Sequence, residues 1–341
     1  MAVSIVVGGQ YGSEGKGKVA YLWAEKTGAS AVVRVGGSNS GHTVYDKDNR
    51  MYTMRMLPTA SIQENMTAVL PAGSYIDVPV LMEEIKAIGI SRDHLKIDPN
   101  AMIILEKHKE EERKKGMQEK IGSTLSGTGA AVADRARRSE DVILAGKVPE
   151  LAPFIHDTKK YLRGLLDQGK HIVIEGTQGY GLSNYHTQEY PYATSRDTTA
   201  AGFLAETGLS PFDVDHIVMT IRTFPIRVAG HSGRIAQEIN WKQVSEESGS
   251  QEYFEEKTTV THRVRRVARF TSDVVKEAIR ANQPDVIVLN HMDYIDISHQ
   301  NVKQLSPKQV EFLAGVEREI GRKISYCGTG TMNLIEMGAD G

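Results

Sequence analysis

The stretch that most constrains the fold is residues 3–19, VSIVVGGQYGSEGKGKV. Its apolar, β-branched beginning predicts a buried strand. A loop follows that contains Gly8, Gly9, Gly12, Gly15 and Gly17 with Lys16 and Lys18, and a helical pattern then runs from Val19 to Lys26. Strand, glycine loop and helix in this order surround an anion with bare backbone N–H groups and a helix N-terminus. Glycine lets the backbone approach the anion, and lysine adds a point charge.

Gly12, Gly17 and Lys18 nearly reproduce the spacing of a P-loop, but Val19 occupies the place of the Ser or Thr that holds magnesium. An ordinary tight turn is the bland alternative for any glycine-rich loop. The strand before it and the helix after it favour phosphate binding, and a metal must find its ligands elsewhere.

Further apolar runs at 31–35, 68–72, 171–174, 215–221, 285–289 and 323–326 alternate with helical patterns at 78–88, 157–166, 272–281 and 308–320. This alternation predicts an α/β fold, a mainly parallel central sheet with helices on both faces and a variant P-loop-NTPase-like topology. Ligands in such folds bind beyond the carboxyl ends of the strands. No repeat or linker interrupts residues 1–341, which read as a single domain with surface insertions. Residues 106–120 carry dense charge of both signs and read as a solvated helical face. Residues 246–256 read as a surface loop, with or without a lid role.

A net charge of −2 leaves no basic patch or tail for nucleic acid or membrane surfaces. Cys327 is the only cysteine, so neither an intrachain disulfide nor a cysteine zinc site is available, and a buried, inert thiol is the expected reading. No apolar run reaches spanning length and no cationic leader precedes one, so the expected compartment is the cytoplasm.

Polar motifs close most of the strands. Asn39, Gly41, His42 and Thr43 lie in a second Gly/Asn-rich loop, where His42 either polarises a substrate oxygen or is simply solvated. Loop 122–129, containing Thr124, and the basic run ending at Arg138 suit a monoester phosphate, or else form a flexible loop before an exposed basic helix. Gln178, in Glu175–Gly179, suits a base edge, and Thr194 suits phosphate. A strand-end turn and a helix cap at Asp197 or Thr198 are the alternatives. Arg263 and Arg265 alternate with Val264, so an extended backbone would aim both to one side, either at a dicarboxylate or at solvent. Asn290 and Asp293 have the spacing of a guanine-reading motif, with His291 where its lysine stands, and Gly328 and Gly330 follow the last strand.

Residues 12–18, 39–43, 175–179, 190–195 and the Arg263/Arg265 segment, taken in order, resemble adenylosuccinate synthetase across nearly the whole chain. The resemblance implies a magnesium-dependent homodimeric ligase. In that reaction a triphosphate phosphorylates O6 of a purine monophosphate, and the amine of aspartate then displaces the phosphate.

It further implies that His42 stabilises charge on O6 beside Lys16, and that Gly41, with the residue at position 13, meets the metal. Asn39, Thr124, Gln178, Thr194 and a partner-derived Arg138 hold the mononucleotide, and Thr261, Arg263 and Arg265 hold aspartate. Gly12, Gly15, Lys16, Gly17, Lys18, Thr43, Asn290, Asp293, Gly328 and Gly330 hold the donor, with Lys18 at its triphosphate. That family carries aspartate after Gly12, as base and metal ligand, where this chain has Ser13. A hydroxyl is no base at neutral pH and a poorer ligand. It makes room for a 2-amino group and accepts a hydrogen bond from it. The resemblance is therefore strongest to the phage branch that uses dGMP, with ATP or dATP as donor. IMP with GTP is the alternative.

Overall fold

The computed structural model describes residues 2–258 and 262–338. Nine strands form its main sheet: β1 (Val3–Gly8), β2 (Ala31–Arg34), β3 (Thr67–Leu70), β4 (Leu95–Ile97), β5 (Ile172–Glu175), β6 (Val214–Arg222), β7 (Val286–Asn290), β8 (Tyr326–Cys327) and β9 (Ile335–Glu336). Their spatial order is β9-β8-β7-β6-β1-β5-β2-β3-β4. Every pairing is parallel except β8 with β9. The glycine-loop strand is thus central.

Ten α-helices are present among the described residues: α1 (Lys16–Thr27), α2 (Val78–Ile88), α3 (Glu106–Lys114), α4 (Met117–Ile121), α5 (Thr128–Arg137), α6 (Thr158–Asp167), α7 (Ala200–Thr207), α8 (Trp241–Glu247), α9 (Asp273–Asn282) and α10 (Pro307–Ile320). Strand alternation divides the core. Val6, Val32, Val173 and Val218 pack with Val19, Ala20 and Trp23 of α1 on one face. Ile5, Val7, Val33 and Ile174 pack on the other with Phe203 of α7, Ala278 of α9 and Val316 of α10. Helices therefore cover both faces, as expected. Val19 is wholly buried in the α1 layer, which gives a packing reason for the missing hydroxyl.

Four local readings are corrected. The charged run 106–120 is broken at Gly116, whose φ of 61° starts α4. Its face is not all solvated, since His108 and Glu112 are buried. The cap of α7 is Thr199, which accepts from Gly202 N, while Asp197 braces that cap. Residues 246–256 start in the last turn of α8 and end on Glu256, whose side chain is anchored by ion pairs, so they are not simply a surface loop. Strands β4 and β9, each three residues or fewer, had no separate sequence signal. No helix among the described residues is long and apolar enough to cross a membrane.

Candidate active site

The carboxyl ends of β1, β2, β5, β6 and β7 carry Gly8, Arg34, Glu175, Arg222 and Asn290. Parallel register puts Arg34 directly beside Glu175, on neighbouring strands. The buried pair that results is joined by His42, whose Nδ1 lies 2.6 Å from Glu175 Oε1. Thr59 donates its N–H to Oε2 at 2.8 Å. Arg34 also lies 2.6 Å from His42 Nδ1. Because the carboxylate accepts from both neighbours, Nδ1–H belongs to Glu175 and Nε2 is left for the cavity. Burial, then the Arg34 charge, pulls the His42 pKa down to about 4. Burial pushes the Glu175 carboxyl up, but its His42 hydrogen bond and Arg34 outweigh this and hold it at about 2. The resting dyad is a neutral imidazole on an ionised carboxylate.

The glycine loop is braced by its own acid. Glu14 Oε1 accepts from Gln10 N at 3.1 Å and Gly12 N at 2.7 Å, and Oε2 pairs with Lys16 at 2.5 Å. Lys16 thereby sits just past the strand end, where a Cβ on Gly8 would come within 2.8 Å of its ammonium. Ser13 and Gln178 both adopt left-handed backbone, with φ of 57° and 65°. Such conformations are costly away from glycine and collect at ligand sites.

A cavity of about 650 Å³ opens beside this loop, lined by Gly12, Ser13, Asn39, Gly41 and His42. Thr124, Gln178, Thr194 and Arg265 complete the set of expected residues in its wall. Asn39 Nδ2 lies 3.5 Å from Thr194 Oγ1, so the two expected mononucleotide contacts are adjacent. The Thr124 loop is held by Glu112, which accepts from Gly127 N and Gly129 N, both at 3.0 Å. Arg265 donates to Ser13 Oγ, and Arg222 donates to the Ser13 carbonyl at 2.9 Å.

Other expected residues stand apart from the cavity. Val264 bridges Lys257 in antiparallel fashion, so the backbone is locally extended there, but Arg263 is exposed and of the two arginines only Arg265 lines the cavity. Arg138 is exposed at the end of α5, and the Thr43 side chain is exposed on the face opposite His42. Thr261 lies outside the described residues. Ser13 does not fit a metal: its two oxygens accept from guanidinium groups, whose charges oppose a dication. Gly41 fits better, because it lies in the cavity wall next to His42. No group of three or more His, Cys, Asp or Glu side chains suited to a metal occurs among the described residues.

On the far side of the loop, Asn290 donates to Glu14 O at 2.7 Å, and Gln300 lies 3.3 Å from Asp293. Lys18 donates to Gly330 O at 3.0 Å and approaches Asn333 O at 3.4 Å. Its ammonium thus lies against the Gly328–Gly330 segment, and burial lowers its pKa to about 8. Gly328 is tightly enclosed, since a Cβ there would meet Asn290 Oδ1 at 2.3 Å. The sequence reading missed Arg34, Glu112, Glu175 as a side chain, Arg222 and Glu256. For Glu175 the available signal was a carboxylate directly after an apolar strand.

The adenylosuccinate synthetase family model matches residues 5–145 and 143–302. The enzyme of that name from Methanococcus aeolicus is 36% identical, with 97% of each chain covered. The chain belongs to the adenylosuccinate synthetase family. The Thermococcus onnurineus adenylosuccinate synthetase is 35% identical over 96% of this chain and 95% of its own. Among solved structures, the fully ligated Plasmodium falciparum adenylosuccinate synthetase shares the fold, with a TM-score of 0.86 at 21% identity over 99% and 100% of the chains. Cyanophage S-2L succinoaminodeoxyadenylate synthetase, bound to dGMP and dATP, is 29% identical with a TM-score of 0.82 over 98% and 95%. As a member of the adenylosuccinate synthetase family, the protein is a C–N ligase that joins aspartate to a purine nucleotide using a nucleoside triphosphate. The family uses Mg2+.

Proposed function

We propose that this ligase acts on dGMP, giving 2-amino-2'-deoxyadenylosuccinate through a 6-phosphoryl intermediate, with ATP or dATP as donor. The observation that carries this reading is Ser13 in the cavity wall near Gln178, with its oxygen oriented by Arg265. A serine occupies less space than a carboxylate and still accepts a hydrogen bond from an exocyclic 2-amino group. The likeness to the cyanophage enzyme supports it.

In this reading Asn39, Gln178, Thr124 and Thr194 hold the mononucleotide, and Arg138 reaches it from the second subunit of a homodimer. Lys16 and the N–H groups of Gly15 and Gly17 meet the donor phosphates, while Asn290, Asp293, Gly328, Gly330 and Lys18 form the donor's base end. His42 Nε2 faces O6; the N1 proton released as the 6-oxyanion forms passes to the ring, whose Nε2–H then donates to O6, and Glu175 stabilises the imidazolium. The Gly41 carbonyl would help hold magnesium, which would supply charge neutralisation at the donor phosphates. Arg265 receives a carboxylate of aspartate.

The archaeal relatives, named adenylosuccinate synthetases, favour a second reading, IMP with GTP. Turnover of dGMP and IMP, each with ATP, dATP and GTP, separates the two. Higher kcat/KM for dGMP is expected, and a preference for IMP refutes the proposal. Ser13→Asp should lose dGMP turnover.

A further inference from the structure

Among the described residues, Glu256 is the acid that pairs with both arginines beside Ser13. It forms a two-pronged pair with Arg222, Nη1 to Oε2 at 3.2 Å and Nη2 to Oε1, and its Oε2 lies 3.5 Å from Arg265 Nη1. Tyr294 donates its hydroxyl to Oε1 at 2.9 Å. These partners come from three places: the end of β6, the segment before Arg266, and the turn that follows the donor-base residues.

The Arg222 side chain is wholly buried and also holds the Ser13 carbonyl. Without an acid here, two guanidiniums would stand side by side in a low-dielectric wall and repel each other. Arg265 is the more exposed of the two, with 12% of its side chain accessible against none for Arg222, so repulsion would drive it away from Ser13. Apart from Glu256, the Arg265 side chain is held by the Ser13 hydroxyl and by a 3.2 Å bond from Nε to Lys257 O.

We propose that Glu256 is a positioning residue for the amino-acid half of the reaction, fixing Arg265 against Ser13 so that the guanidinium is already in place when the aspartate carboxylate arrives. The inference rests on the reading of Arg265 as an aspartate contact. Pre-placement removes an ordering cost from aspartate binding; of the mononucleotide contacts only Ser13 touches this cluster, while Asn39, Thr124 and Thr194 have no bond to it, so mononucleotide binding responds far less.

The test compares Glu256→Gln and Glu256→Asp with the parent enzyme for KM of aspartate, KM of the mononucleotide and kcat, with mononucleotide binding by calorimetry as the measure of an intact fold. Glu256→Gln should raise the aspartate KM at least about tenfold while the mononucleotide KM stays within about threefold. Glu256→Asp keeps the charge one methylene short and should fall between. An unchanged aspartate KM, or parallel loss of aspartate and mononucleotide binding in both variants, overturns the inference. Arg265→Gln, run alongside, distinguishes the two levels. If it leaves the aspartate KM unchanged, the assignment of Arg265 fails. If it raises that KM and Glu256→Gln does not, only the role given to Glu256 fails.

Discussion

Replacing Glu175 by glutamine removes the acceptor on which Arg34 and His42 converge. An amide keeps one accepting oxygen, so either the Arg34–His42 side or the Thr59 side must face an NH2 group. Removing one partner of a buried ion pair costs about 3–5 kcal/mol. An independent route gives a similar size: a carboxyl held at about 2 against an ordinary 4.5 corresponds to roughly 3 kcal/mol. The pH dependence has a defined sign. His42 titrates near 4 when folded and near 6.5 when unfolded, so stability falls as pH drops from about 6.5 to 4. Glu175, held below its unfolded value, gives stability that is complete above about 4.5 and is lost as pH falls towards 2. The variant lacks the second loss, so its deficit should narrow below pH 4.5. Urea unfolding at pH 7 and pH 3.5 reads both effects, and turnover at pH 7 should fall by about 10²–10⁴ as the imidazole loses its partner. A stability loss under about 1 kcal/mol at pH 7 with turnover within about threefold would refute the assignment.

Gly179→Ala places a methyl 2.4 Å from Glu14 Oε1 and 2.6 Å from both Gln10 O and Gly12 N. Two of those atoms are backbone, so the glycine loop must shift, and calorimetry should show donor binding weakened at least about tenfold at a stability cost of about 1–3 kcal/mol. Cys327 is buried and its thiol is pushed up to about 12 by burial. A colorimetric thiol titration at pH 8 should find it unreactive in the native protein and fully reactive in denaturant.

The parallel strands were legible because strands covered on both faces are apolar throughout, and Ala31–Val35 and Asp285–Leu289 come within a residue or two of the structure. The order of nine strands was not legible, because neither local pattern nor length says that β1 lies between β5 and β6. The motif residues around the cavity were visible as strings of Gly, Asn, Thr and His. The acids that hold them were not, for a common reason. Glu175 and Glu112 act on groups far away or on backbone N–H groups, and neither partnership leaves a spacing in the sequence. Glu112 in particular looks like any other residue of a charged helix until α3 is packed against α5.

Gly17, in the first turn of α1, has no room for a side chain: a Cβ would lie 2.8 Å from His42 Cβ and 2.8 Å from Thr59 Cγ2. In the proposed reading, the end of the helix that meets the donor and the segment that carries the imidazole are therefore one wall. A donor seated askew would tilt the same surface that steadies the oxygen awaiting its phosphate. Misalignment at one partner is felt at the other without any moving part between them.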